Sequence, residues 1–350
     1  GDEHEGARPA AAVRTACIGA AVLLAWITYR VVENPLRYGG WGRAKALGLL
    51  ILLAEIGLGV FGMKQAGIDG VPLSPEELAF RTKVDAQFAW NHASNDLCID
   101  RYQTDNAAEA KFSFCMASSP DAPTMLVLGN SFANQLYPGL IHNDRFKDLS
   151  ILNIGDCGAT FAGGCGSDHG DRQRRLIDSI IEREHSVRFA VIAGMYSAMT
   201  PSDLERLAAR VSLLQKYGIK VVIFMPHLQV TDISERVDFD IKSCFAMRPL
   251  KSATACEFDS GIREPFTQKF RPVMQYIRNV APQVLFFDPN DLFCDERRCR
   301  LTNEGMPLFR DRAHLSEHGS ILLGKLFGQW AETNLPEMLQ PGAAQQHAPQ

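Results

Sequence analysis

The sequence has no excess of basic residues. Its 36 Lys and Arg are outnumbered by 40 Asp and Glu, giving a net charge of -4. That excludes the strongly basic surface with which proteins hold a nucleic-acid backbone, so no nucleic-acid partner is expected. No CxxC occurs to pair with a second CxxC or with an HxxxH, so no metal site is expected. There is no internal repeat, which excludes solenoid arrays. Cysteine, by contrast, is abundant, with nine residues. Eight of them follow residue 90 and fall in close succession: Cys98, Cys115, Cys157, Cys165, Cys244, Cys256, Cys294 and Cys299. An even set of this kind suggests disulfides in an oxidising compartment. Such a set allows on the order of a hundred connectivities. Sequential pairing is expected, as 98–115, 157–165, 244–256 and 294–299. The last pair is the surest, because Asp-Glu-Arg-Arg between its members reads as a tight turn. Cys17 lies apart in an apolar segment and is read as a lipid-buried thiol.

The chain has 350 residues, enough for one large domain or two ordinary ones. It opens on Gly, and its first residues read as the end of something longer. Ala11 to Tyr29 and Ala46 to Met63 are two apolar runs, each close to the roughly 20 residues that span a bilayer. Arg30, Arg37, Arg43 and Lys45 lie between them. The positive-inside rule therefore puts the loop over 38–45 in the cytoplasm and everything after the second run outside. A linker over 64–84, a domain over 85–335 and a disordered tail over 336–350 are expected to follow.

That domain alternates strand-like and helix-like patterns, the signature of an α/β sandwich. Met125–Leu128, Ile151–Ile154, Phe189–Ala193, Lys220–Phe224 and Val284–Phe287 read as five parallel core strands. Pro201–Tyr217, Arg172–Glu184, Pro265–Asn279 and Glu317–Thr333 read as helices between and after them. Residues 225–264 read as an irregular excursion near the site.

Two stretches carry chemistry. In the first, Gly129 follows an apolar strand and permits a sharp turn. Ser131 then opens a short helix over Ala133–Tyr137 that Pro138 ends. A serine at the carboxyl edge of a parallel sheet has an exposed hydroxyl beside a helix amino terminus that favours negative charge. The second is Asp311-Arg-Ala-His314-Leu-Ser. Asp and His three apart share one face of a turn, so the carboxylate can orient the imidazole while its other nitrogen faces a serine. His318 reads as an exposed helix histidine. His227, at the end of a core strand, and Asn130, beside the serine, are expected to line the substrate pocket.

Gly129-Asn-Ser131 and Asp311-x-x-His314-Leu-Ser resemble the first and last blocks of the SGNH (GDSL-like) hydrolase/acyltransferase superfamily. Asn130 stands where the family usually has Asp. Asn153-Ile-Gly-Asp-Cys-Gly158 resembles the second block, whose glycine gives an oxyanion-hole amide. Gly158 is the nearer match and Gly155 the alternative. The third block, usually Gly-x-Asn-Asp, is replaced by Gly194-Met-Tyr-Ser197. Tyr29-Arg-Val-Val-Glu-Asn-Pro-Leu-Arg37 resembles the close of the last core helix in membrane acyltransferase-3 proteins. One branch of that family adds a further membrane helix and a periplasmic SGNH domain.

The resemblance implies an SGNH-type three-layer α/β/α sandwich with a five-stranded parallel sheet, preceded by two transmembrane helices. Residues 1–37 would then end the acyltransferase-3 membrane domain, the partner in cis, in a bacterial inner membrane. It implies O-acetylation of a surface glycan of the O-antigen or lipopolysaccharide type. No cofactor is held by this part of the protein, and acetyl-CoA is the ultimate donor through the membrane domain. Ser131 would be the nucleophile, His314 the base and Asp311 its orienting acid, with the Ser131 and Gly158 amides as oxyanion hole. A glycan acetylesterase with the same triad and a non-catalytic glycan-positioning domain are the alternatives.

Overall fold

The computed structural model describes residues 11–30, 34, 47–48, 50–59, 74–90, 92–102, 114–155, 168–194, 199–235, 239–245 and 256–340. The chain divides into two compact units, Gly1–Ser74 and Pro75–Gln350.

The first unit contains helix α1 (Ala11–Thr28) and a helical stretch over 50–59. Among the described residues no helix is long and apolar enough to cross a membrane. The two spans expected at 11–29 and 46–63 are thus not established. The first run contains Arg14, and the second is described as helix over 47–48 and 50–59. Their large apolar side chains, including Leu23, Leu24, Trp26, Leu50, Leu53 and Leu58, are exposed.

The second unit is built on a six-stranded sheet. Its strands are β1 (Phe114–Ala117), β2 (Met125–Gly129), β3 (Ile151–Gly155), β4 (Phe189–Ala193), β5 (Lys220–Phe224) and β7 (Leu285–Phe287), in the order β1-β3-β2-β4-β5-β7. β3, β2, β4, β5 and β7 run parallel. Every residue of β2, β3 and β4 is buried, as both faces of a covered parallel sheet require. β1 is the departure from expectation: it pairs antiparallel with β3, so the sheet is mixed and six-stranded rather than five-stranded and parallel. Phe-Cys-Met-Ala is too short to show a period, and the Cys98–Cys115 disulfide ties it to helix α3 (Asp96–Tyr102).

The domain begins with helix α2 (Pro75–Ala86), which starts within the stretch expected as linker over 64–84 and ends two residues beyond it. Val84 is its one buried residue, so it has no apolar stripe to read. After Ser131 come α4 (Ser131–Asn134) and α5 (Tyr137–Ile141) rather than one helix. Pro138 does not stop the first; it sits in the opening turn of the second, where its missing N–H costs nothing. Helix α6 covers Asp168–Arg183. Helix α7 (Pro201–Lys216) has the expected start, with Thr200 and Asp203 forming a reciprocal capping box. A short helix, α8 (Val230–Ser234), follows β5. The single helix expected over 265–279 is two, α9 (Arg263–Gln268) and α10 (Arg271–Val280), because Pro272 belongs in a first turn and not an interior. Helix α11 (Glu317–Asn334) closes the fold, with Ser316 accepting from the Gly319 N–H as its cap. The expected tail is ordered at first: Pro336–Leu339 form a 3-10 turn with Met338 buried.

α7 packs on β5 and α10, and α5 on β3 and α11. Phe224, Phe287, Phe327 and Trp330 join rings between sheet and α11. Within 225–264, β6 (Glu257–Asp259) pairs with β8 (Arg298–Arg300), and the Cys244–Cys256 disulfide closes the excursion. The Cys294–Cys299 disulfide also forms, across a turn in which Asp295 accepts from the Arg297 and Arg298 N–H groups. Cys17, the 157–165 pair, the linker over 64–73 and the tail over 341–350 lie outside the residues, or the side chains, that are described.

Gly129 ends β2 with φ +152, a conformation that side chains rarely adopt. A Cβ there would collide with the Ala193 carbonyl, and one at Gly155 with the carbonyl of Gly129. Gly129→Ala is therefore expected to destabilise the domain by about 3 kcal/mol or more. Urea unfolding followed by circular dichroism measures this; a loss under about 1 kcal/mol would mean that the β2–β4 contact yields easily.

Candidate active site

The turn after β2 delivers the serine. Asn130 is extended and buried, and its Oδ1 accepts from the Phe132 N–H at 3.0 Å, capping α4. The side-chain oxygen of Asp would cap equally well, so Asn in its place keeps the turn. Asn130 Oδ1 is thus engaged in the backbone turn. Ser131 is the first residue of α4 and stays partly exposed. Among the described residues its backbone N–H has no acceptor.

The second stretch lies in the loop before α11. Ser131 Oγ is 2.7 Å from His314 Nε2. His314 Nδ1 is 2.9 Å from Asp311 Oδ2 and 3.1 Å from Oδ1. The Ala313 and His314 N–H groups both donate to Asp311 Oδ1 at 2.8 Å. Residues 183 positions apart are thus joined in one line, serine hydroxyl to imidazole to carboxylate. Phe132 lies against the imidazole with ring centroids 5.0 Å apart. Burial alone would push the Asp311 carboxyl up. The His314 hydrogen bond and charge and the two backbone donors outweigh it and hold Asp311 well below the usual carboxylate range. Asp311 therefore stays ionised and favours the Nδ1–H tautomer of His314, which leaves Nε2 free to take the serine proton.

Arg310 braces this loop. Its backbone N–H donates to the His314 carbonyl at 2.9 Å, and its Nη1 to the Leu315 carbonyl at 2.9 Å. Its guanidinium lies 4.1 Å from the centre of the Trp90 ring. Burial lowers its pKa to about 10, against the opposing pull of Asp311.

The other candidates fare differently. His227 is buried, with Nδ1 2.8 Å from the Leu228 carbonyl and Nε2 2.8 Å from Gln135 Nε2. Both ring nitrogens are bonded inside the protein. Burial pushes its pKa down to about 4. His318 is partly buried rather than exposed, and its N–H donates to Gln87 Oε1. Gly155 pairs with Gly129 in the sheet, and Gly158 lies outside the described residues. Gly194 is buried after β4, and residues 195–198 are likewise not described. Gln135, which sequence reasoning missed, lies at the centre of the buried polar contacts; its one signal was its place four residues after Ser131. Among the described residues no His, Cys, Asp and Glu cluster could hold a metal ion.

A serine–histidine–aspartate line at the carboxyl edge of a parallel sheet is the geometry of acyl transfer. Residues 98–329 match the family described as SGNH domain (fused to AT3 domains). The chain belongs to this SGNH family. A search of the curated proteins finds no match to it. SGNH membership supports an enzyme of the esterase or acyltransferase type that modifies glycans. The family's fusion to AT3 domains, with three disulfides among the described residues, is consistent with a periplasmic domain of a membrane protein.

Asp311→Asn is expected to slow serine acylation by roughly a thousandfold, because an amide no longer holds the Nδ1–H tautomer. Stopped-flow release of 4-nitrophenol from its acetate ester measures the rate. Asp311 also bears on stability. Its folded pKa is depressed, so its contribution is full above the ordinary carboxylate value of about 4 and is lost as pH falls toward the folded value. The acid unfolding of Asp311→Asn should accordingly be shallower than that of the wild type.

Proposed function

We propose that this chain is an O-acetyltransferase acting on hydroxyl groups of a bacterial surface polysaccharide of the O-antigen or lipopolysaccharide type. The observation that carries the reading is the Ser131–His314–Asp311 line, with 2.7 Å and 2.9 Å separations. In the first half-reaction Ser131 Oγ attacks an acetyl carbonyl while His314 Nε2 takes its proton. Negative charge develops on the carbonyl oxygen beside the Ser131 N–H, with the Gly158 amide as second donor. The leaving group departs with the proton from His314, and acetyl-Ser131 remains. In the second half a sugar hydroxyl attacks this ester and gives its proton to His314. The tetrahedral adduct collapses with cleavage of the bond between the acetyl carbon and Ser131 Oγ, which takes the proton back from His314, and the sugar carries the acetyl group.

The donor for the first half is acetyl-CoA, relayed by an acyltransferase-3 membrane domain in cis. Two observations support the membrane part of the reading. The family is fused to AT3 domains, and Leu23, Leu24 and Trp26 of α1 and Leu50, Leu53 and Leu58 of the 50–59 helix are exposed large apolar side chains. The domain then works on the periplasmic side of the inner membrane, where its disulfides persist.

The test is intact mass of the full chain in mild detergent after exposure to 4-nitrophenyl acetate. A single acetyl adduct on the wild type that is absent from Ser131→Ala is expected. Equal labelling of both would sink the covalent mechanism. Adding surface polysaccharide should then move the acetyl group to sugar; release to water alone would make the protein an acetylesterase.

A further inference from the structure

Gln135 joins three segments of the site that are distant in the chain. It caps the end of α4, and its N–H donates to the Ser131 carbonyl at 3.0 Å. Its side chain is wholly buried, at 0% exposure. Its Oε1 accepts from the N–H of Leu315, the residue after His314, at 2.7 Å. Its Nε2 lies 2.8 Å from His227 Nε2, and His227 Nδ1 lies 2.8 Å from the Leu228 carbonyl.

The two ends set the polarity of this line. A backbone N–H can only donate, so Leu315 demands the amide oxygen of Gln135. The Gln135 NH2 then faces His227, whose Nε2 must accept. A carbonyl can only accept, so His227 donates to Leu228 from Nδ1. One tautomer of a neutral histidine satisfies all three bonds. Any other arrangement sets donor against donor in a buried place, which is costly. Around His227 stand the rings of Phe132, Phe293 and Phe309, and the titratable groups that bear on it are His314 and Asp311. Burial dominates and keeps it neutral.

We infer that Gln135 and His227 are positioning residues that hold the triad loop in register with the serine helix, keeping His314 Nε2 within reach of Ser131 Oγ. The inference rests on the acyl-serine reading of the site. Proton transfer needs that short reach, and a displacement of about 1 Å can cost on the order of a hundredfold in rate.

The test compares acylation by 4-nitrophenyl acetate in the full chain across pH. In Gln135→Glu one carboxylate oxygen still accepts from Leu315, but the other faces a lone pair on His227 Nε2. The carboxylate raises the proton affinity of His227. Below the raised value the imidazolium donates to Glu and the line is restored; above it the line is broken. The ratio of variant to wild-type rate is therefore expected to fall about tenfold as pH rises from about 5 to about 8, in kcat rather than KM. Removal of a merely structural amide would give a ratio independent of pH, and that result overturns the inference. His227→Gln, which can still accept from Gln135, should acylate about tenfold faster than His227→Leu. Should Gln135→Glu not fold, equal rates for this second pair overturn it. Ser131→Ala in the same assay separates the two readings. If it acylates like the wild type, the acyl-serine reading fails. If it is inert while the ratio stays flat, the positioning inference alone fails.

Discussion

Three strand ends meet at Gly129 with no room for a side chain. Gly129 lies against the Ala193 carbonyl of β4, and Gly155 of β3 lies against Gly129. This contact lets the chain leave β2 at a positive φ and enter α4 within two residues. A bulkier corner would separate the strands and move Ser131 away from the sheet edge. Everything chemical depends on that corner, because the partners of the serine arrive from elsewhere. His314 and Asp311 come from the loop before α11, and His227, which bonds Gln135 behind the serine helix, from the loop after β5. The sheet supplies the common edge at which they meet.

The site is held by hydrogen bonds whose directions are fixed by groups without choice. Asp311 receives two backbone N–H groups and an imidazole N–H, so its charge is stabilised from three sides. A carboxylate held this way keeps one histidine tautomer. Gln135 does the same for the loop that carries that histidine, through partners on either side. Neither device needs a large energy. Each removes alternatives, since a wrong tautomer or a flipped amide places like against like, at Gln135 and His227 in a buried setting.

The parts of this arrangement that were legible in the sequence are those with short-range signatures. The strands of the parallel sheet are apolar runs because both their faces are covered, and Asp311 and His314 lie three residues apart in one turn. Ser131 was visible because glycine precedes it at a strand end. What escaped was long-range or lacked a period. Gln135 takes its importance from partners 92 and 180 residues away. His227 reads as a pocket residue until its burial and its two internal bonds are known. Phe114–Ala117 is too short to announce a strand and takes its direction from β3. Pro138 reads as a stop, although the same fixed φ suits the start of the next helix. Helix α2 buries one side chain and so carries no stripe.

The support of the site also reaches ahead of the matched residues 98–329. Asn134, buried three residues after Ser131, needs partners for both ends of its amide. Trp90 donates its indole N–H to Asn134 Oδ1 at 2.8 Å, and Asn134 Nδ2 donates to the His92 carbonyl and to Asn153 Oδ1, each at 2.7 Å. Trp90 also faces Arg310, and Gln87 accepts from the His318 N–H at 2.8 Å. Without Trp90 and His92, two of the three Asn134 bonds vanish beside Ser131. Each buried group left unpaired costs about 1–3 kcal/mol. Arg310, the brace of the Asp311 loop, would lose the ring that covers it. The working domain is therefore the unit that begins at Pro75. Gln87, Trp90 and His92, ahead of the matched residues, are part of the wall around Ser131, His314 and Asp311.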